Sequence, residues 1–164
     1  MMISENMASA LIQQIANELN TAHSYLAMAL AFEEKGLKVF GRRFHAQATE
    51  EREHAMKIVK YLQDVGASVI LAEVARPKSD YGSAQAMVEA ALESERTVTQ
   101  QINDLVALAD SEKDHATFSF LQWFVDEQVE EVATMSELLQ LVKLAGEANL
   151  FFVEGRLAKT MQSG

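Results

Sequence analysis

Four stretches of this chain repeat apolar residues in alternating steps of three and four, and each breaks the repeat near its middle with a glutamate. Steps of that size keep one face of an α-helix turned to one side. The first stretch reads Leu11, Ile15, Glu18, Ala22, Tyr25, Ala29, and the second Phe40, Phe44, Gln47, Glu51, His54, Ile58, Leu62, Val65. The third reads Val88, Leu92, Glu95, Thr99, Ile102, Val106, Ala109, and the fourth Thr117, Leu121, Phe124, Gln128, Glu131, Met135, Leu138, Val142, Ala145. Helices with such stripes bury them against one another, so the pattern predicts an all-α fold. A bundle of the four brings Glu18, Glu51, Glu95 and Glu131 together in its centre.

An ionised carboxylate buried without a partner costs on the order of several kcal/mol, and four together repel one another. No lysine or arginine lies on the stripes near the glutamates, and shared protons would need several raised pKa values at once. Metal cations remain. Four carboxylates balance the charge of two divalent ions, and His54 adds a neutral nitrogen donor, so the charge count predicts a dinuclear site.

The chain has no cysteine, which removes disulfides, thiolate-bound zinc and iron-sulfur centres and leaves oxygen and imidazole as ligands. Its 164 residues suit a single domain. The opening MMISENMASA lacks the basic start and apolar run of a secretory signal, and charge interrupts every apolar run before it reaches membrane-spanning length. A cytoplasmic protein with no membrane partner is expected. Acidic residues outnumber basic ones 24 to 14, a net charge of -10, which repels nucleic acid. That surplus serves solubility or draws metal ions to the surface, and the two readings stand level.

Pro77 and the glycines Gly36, Gly66, Gly82 and Gly146 punctuate the chain. Helix A is expected over about 4–35, with Ser4 as its cap and Glu5 in its first turn, and helix B over about 37–65. So short a connection makes the two antiparallel neighbours. Residues 67–82 hold Pro77 and Ser79-Asp80-Tyr81-Gly82, show no helical period and are long enough to run the length of a bundle. Helix C follows over about 83–110, and Ser111-x-x-Asp114 reads as a capping signal opening helix D, about 114–145. A tail helix E, about 149–161, has Asn149 at its start and Leu150, Phe151, Phe152, Val153 and Leu157 as its apolar members. Too short to stand alone, it must rest on the bundle or on a neighbouring subunit. The expected architecture is an antiparallel four-helix bundle with one long crossover and a short C-terminal fifth helix.

Glu51-x-x-His54 puts a carboxylate and an imidazole one turn apart, where both can hold one ion. The spacing alone is weak; its position on a core stripe, matched by glutamates on three other helices, gives it weight. This constellation resembles the ferritin-like di-iron carboxylate family, and more specifically the non-haem bacterial ferritins, over nearly the whole chain. The segments that carry the resemblance are Asn17-Glu18-Leu19-Asn20 with Tyr25, Ala48-Thr49-Glu50-Glu51-Arg52-Glu53-His54-Ala55, Glu95, and, most specific, Gln122-Trp123-Phe124-Val125-Asp126-Glu127-Gln128-Val129-Glu130-Glu131.

The resemblance implies that Glu18, Glu51 and His54 hold one iron and Glu51, Glu95 and Glu131 a second, with Glu51 bridging and Gln128 beside the pair. It also implies a third iron at Glu50, Glu127 and Glu130, against which a merely solvated acidic face stands level. Tyr25 would donate an electron and proton to oxygen, or only hydrogen-bond a carboxylate. Di-iron enzymes with a permanent cofactor usually repeat Glu-x-x-His on the last helix. Here that place holds Gln128-x-x-Glu131, which suggests a site through which iron passes. The methionine that ligates haem in bacterioferritins is replaced by Arg52, so no haem is expected. His23, His45 and His115 fall off the stripes and are read as bystanders, Trp123 as packing, and the eight methionines as core filler.

By resemblance, then, the chain is a ferroxidase and iron-storage subunit. It would oxidise Fe(II) to Fe(III) with oxygen or hydrogen peroxide, and 24 copies would enclose a ferric oxo-hydroxide mineral, the tail lying near the fourfold axes. A di-iron or di-manganese peroxidase or oxygenase without storage is the alternative. A DNA-protecting mini-ferritin fits less well, because such proteins place the metal site between subunits, and a metal-free structural bundle is the plainest reading of all.

Overall fold

Ser4 lies in extended backbone and its Oγ accepts the amide of Met7 at 2.9 Å, which starts α1 (Glu5–Glu34). The computed structural model describes residues 2–162. α1 closes at Gly36, whose φ of 78° only glycine adopts readily, and the chain turns straight back into α2 (Lys38–Asp64). Gly41 leaves room for a side chain: a Cβ there would lie 2.6 Å from Glu33 Cγ and displace that half-exposed carboxylate from beside His45.

After α2 the chain runs without regular structure to Ser83, whose Oγ accepts the Ala86 amide at 3.1 Å and opens α3 (Ala84–Ser111). The crossover is pinned half-way, where the Ala75 amide donates to Asn20 Oδ1 at 2.7 Å. α4 (His115–Ala145) is capped by Asp114, whose carboxylate accepts the Thr117 amide at 3.0 Å. The Ser111-x-x-Asp114 signal is therefore corrected: Ser111 is the last residue of α3 and bonds back to the Leu108 carbonyl, while the cap is Asp114 itself. A 3-10 turn over Glu147–Asn149 leads into α5 (Leu150–Gln162). Asn149 lies in that turn and bonds back to Ala145 O at 2.9 Å.

α1 and α2 are antiparallel, as are α3 and α4, but α2 and α3 run the same way. The ends of α1 and α3 show this: Ser4 and Asn6 both donate to Glu112, so the start of one helix meets the finish of the other. Only a connection as long as residues 67–82 carries the chain from the end of α2 back to the start of a parallel α3. The described residues contain no strand, and none of their helices is long and apolar enough to cross a membrane.

The apolar core falls into two clusters. One fills the end with the α1–α2 turn and α5, around Phe32, Phe40, Phe44, Met87 and Leu138. The other fills the opposite end, around Met7, Leu11, Ile58, Leu62, Ile102 and Phe124. Between them lies a layer of buried polar side chains, among them Gln14, Glu18, Gln47, Glu51, Glu95 and Gln128. The stripes of α2 and α4 face inward throughout save half-buried Ala145. In α1 and α3, Ala22, Thr99 and Val106 are only half-buried, and Thr21, Val98 and Leu105 take the inner places. A straight helix drifts against a seven-residue repeat, so its buried face shifts by a position along its length.

Leu150, Val153 and Leu157 of α5 face the bundle, whereas Phe151 and Phe152 are 73% and 80% exposed. Glu154 of α5 is buried and accepts the amides of Val39 at 2.7 Å and Phe40 at 3.2 Å. It thereby supplies the N-terminal cap that Leu37 cannot give α2.

Candidate metal centre

Each bundle helix contributes to the polar layer from near its middle. Glu18, Glu51 and Glu95 have no solvent exposure, and His54 and Glu131 are buried. Ligand atoms of Glu18, Glu51 and His54 lie within 4.8 Å of one another, and so do those of Glu51, Glu95 and Glu131. Glu51 belongs to both groups. A third group joins His54, Glu127 and Glu131.

Neutral amides hold the carboxylates. Gln14 donates to Glu18 Oε1 at 2.8 Å, and Gln47 donates to Glu51 Oε1 at 3.2 Å and Glu131 Oε2 at 2.7 Å. The Gln128 amide donates to Glu95 Oε2 at 3.2 Å, to the Glu95 carbonyl at 3.1 Å and to Thr99 Oγ1 at 3.2 Å. Tyr25 donates its hydroxyl proton to Glu95 Oε1 at 2.5 Å. After these bonds Glu18 Oε2, Glu51 Oε2 and His54 Nδ1 remain buried without a hydrogen bond, the last two lying 3.3 Å apart. Orphaned polar atoms in a core are costly, and these three belong to one of the ligand groups. A cation between them would satisfy all three, so the donor set fits a hard or borderline metal ion.

Electrostatics agree with the geometry. Burial, and next the negative charge of Glu51, push the Glu18 carboxyl up to about 8. Burial, and next Glu95, push Glu51 up to about 8. Glu131 is raised to about 7 by burial and then by Glu95 and Glu50. Burial also raises Glu95, opposed by the bonds from Tyr25 and Gln128, and Tyr25 is held well above its usual value by burial and then by Glu95. Without a cation these groups favour holding protons; a metal ion would displace them.

The fold that carries this layer has known counterparts. Residues 8–145, most of the chain, match the family described as Ferritin: Ferritin-like domain. The chain belongs to the ferritin family. It is 40% identical over 155 residues to Ferritin BfrB of Mycolicibacterium smegmatis, covering 94% of this chain and 85% of that protein. With a bacterial non-heme ferritin of Staphylococcus epidermidis it shares 38% identity over 159 residues, 96% of each chain. The open pore ferritin of the hyperthermophilic archaeon Archaeoglobus fulgidus superposes with a TM-score of 0.93 at 41% identity, over 95% of this chain and 96% of that one.

In this ferritin, the residues singled out by sequence fall into two sets. Glu18, Glu51, His54, Glu95, Glu131, Gln128 and Tyr25 meet in the central layer, and Glu127 reaches His54 from the side, Oε2 to Nε2 at 3.9 Å. Glu50 and Glu130 are exposed and enter none of the three ligand groups, although Glu50 lines the cleft that opens onto His54. Sequence reasoning gave no role to Gln14, Gln47 or Thr99. The signal lies in the spacing: Gln14 and Gln47 stand four residues before Glu18 and Glu51, and Thr99 four after Glu95, the separation at which helical side chains touch. Trp123, read as packing, does pack against Phe124, but it is also 36% exposed and edge-on to the His54 ring, with centroids 5.3 Å apart.

Proposed function

We propose that this ferritin binds two Fe(II) ions within one subunit and oxidises them, one between Glu18, Glu51 and His54 and the other between Glu51, Glu95 and Glu131. The observation that carries this reading is the pair of ligand groups sharing Glu51, with three buried ligand atoms that make no hydrogen bond. The carboxylates favour the higher charge of Fe(III), which lowers the cost of giving up an electron. Two Fe(II) supply two electrons, and dioxygen with two protons becomes hydrogen peroxide. Each Fe(III) then reacts with two waters to give FeO(OH) and three protons, so the product is a mineral that must be enclosed.

Tyr25 and Gln128 orient Glu95 from two sides, and Gln47 ties Glu51 to Glu131, so the carboxylates are set before the ions arrive. Storage in a hollow homo-oligomeric shell, 24 copies by family resemblance, is supported by the exposed Phe151, Phe152 and Leu144 around the tail, apolar surface that a lone subunit would leave in water. Glu50, Glu127 and Glu130 would hold a further iron by family resemblance, a reading supported by Glu127 beside His54 and Glu50 on the same cleft. Arg52 in place of a haem-ligating methionine supports the absence of haem. An oxygenase without storage predicts iron that stays bound through many turnovers.

The test is stopped-flow absorbance after metal-free protein loaded with about two Fe(II) per chain meets oxygen. Oxidation much faster than in protein-free buffer is expected, and Glu51→Ala, which removes the shared ligand, is expected to reduce it to the buffer rate. Equal rates with and without protein would end the ferroxidase reading.

A further inference from the structure

Between α2 and α4 a cleft of about 350 Å³ opens onto the centre, lined by Glu50, Glu53, His54, Lys57, Trp123 and Glu127. Three carboxylates at such a threshold attract a divalent ion and also tend to detain it. One cation lines the same cleft. Lys57 Nζ lies 4.1 Å from the centroid of the Trp123 ring, and that ring meets His54 edge-on. Attraction between an ammonium and the face of an indole holds a side chain that would otherwise move freely. His54 is the residue common to the inner group with Glu18 and Glu51 and the outer group with Glu127 and Glu131. A fixed positive charge therefore stands one ring away from the residue at which outer and inner ligand groups join.

We propose that Lys57, seated on Trp123, is a positioning residue for metal transit, whose charge shortens the stay of a divalent cation at the Glu50, Glu53 and Glu127 mouth. Ions drawn in by the acidic cleft then move on to the inner ligands instead of resting outside them. The inference rests on the ferroxidase reading insofar as it takes the inner groups to bind metal. Coulomb repulsion acts on a divalent ion with twice its force on a monovalent one, and in a cleft open to solvent it weakens as salt is added.

Trp123 is the only tryptophan of the chain, so its emission reports on the mouth and on His54 beside it, and quenching in excess of the inner binding that calorimetry follows belongs to the mouth. The assembled, metal-free protein is titrated with Co(II), a paramagnetic quencher, while calorimetry follows the inner binding events. Lys57→Met keeps the stem and removes the charge; Lys57→Arg keeps the charge. Quenching in Lys57→Met is expected to need roughly fivefold less Co(II) at low salt, with the difference shrinking at high salt. Lys57→Arg is expected to match the unaltered chain, and the inner affinity to be equal in all three. Equal quenching in Lys57→Met and the unaltered chain would overturn the proposal. So would a Lys57→Arg protein that behaves like Lys57→Met, since the effect would then belong to packing. Inner heats absent from the unaltered chain, or present and indifferent to Glu51→Ala, would overturn the ferroxidase reading along with it.

Discussion

Glutamine amides, not lysine or arginine, face the buried carboxylates of this ferritin, and the choice has a physical reason. A neutral donor fixes a carboxylate's orientation while leaving its charge for a metal ion; an ammonium in the same place would neutralise it and compete. Gln47 joins two of the ligands, since one NH₂ group serves both Glu51 and Glu131. Gln47→Leu should leave the fold intact and weaken Zn(II) binding about tenfold or more in a calorimetric titration, in line with the loss of residues that orient metal ligands. The carboxyls also give the metal-free protein an unusual pH dependence. Glu18 and Glu51 titrate near 8 and Glu131 near 7 when folded, against 4.5 as ordinary glutamates. Between those values the folded chain keeps protons that the unfolded chain has released, so stability is full below about 4.5 and falls as pH rises toward 8. The loss should amount to several kcal/mol, roughly, seen as a falling Tm in calorimetric scans of metal-free protein from pH 5 to 8.5. Glu51→Gln should flatten that slope, and Zn(II) should reverse it. The four glutamates were legible in sequence because a charge on an apolar stripe is conspicuous. Gln14 and Gln47 were fainter: the four-residue spacing to a glutamate marks them, but a glutamine on or beside a stripe does not say what its amide faces.

At the scale of elements, the tail helix does more than cover apolar surface. Its Glu154 caps α2 from a sequence distance of 115 residues, and Glu147, just before it, accepts the Gln85 amide at 3.0 Å near the start of α3. The C-terminal segment thus ties together the starts of two helices that the chain itself connects only through the crossover. Glu154→Ala should cost about 1–2 kcal/mol, the range for a lost N-terminal cap, and hydrogen exchange should quicken at the amides of Val39 and Phe40. Unchanged protection there would show that packing of Leu150, Val153 and Leu157 is enough to hold α5. The existence of a fifth helix could be read from its apolar residues, but its two faces could not. The sequence leaves bundle and neighbour as alternative supports, whereas the helix turns one apolar face inward and leaves Phe151 and Phe152 outward. The cap of α4 was misplaced for a related reason: both Ser111 and Asp114 are good cap residues, and only the backbone decides which one precedes the helix.

For the whole molecule, the order of helices and the long crossover followed from stripes and punctuation, because four apolar faces and one connection of sixteen or so residues admit few arrangements. What surrounds a single chain leaves fainter marks. Phe151, Phe152 and Leu144 form exposed apolar surface at one end, so a Phe151→Ser, Phe152→Ser double variant should sediment as smaller species than the unaltered protein, while its centre still oxidises its first two Fe(II) per chain. A variant that assembles fully would place the principal subunit contacts elsewhere. The division of the core into two clusters, one at each end of a polar waist, reaches further. Apart from Tyr25, no ligand or orienting residue of the centre is drawn from either cluster. Phe44 and Phe124 touch the centre, edge-on to Tyr25 and His54, but substitutions farther toward either end should raise or lower the melting point without retuning the chemistry at the waist. A lineage moving between hot and cold habitats could therefore rewrite both ends of this bundle and inherit its centre unchanged.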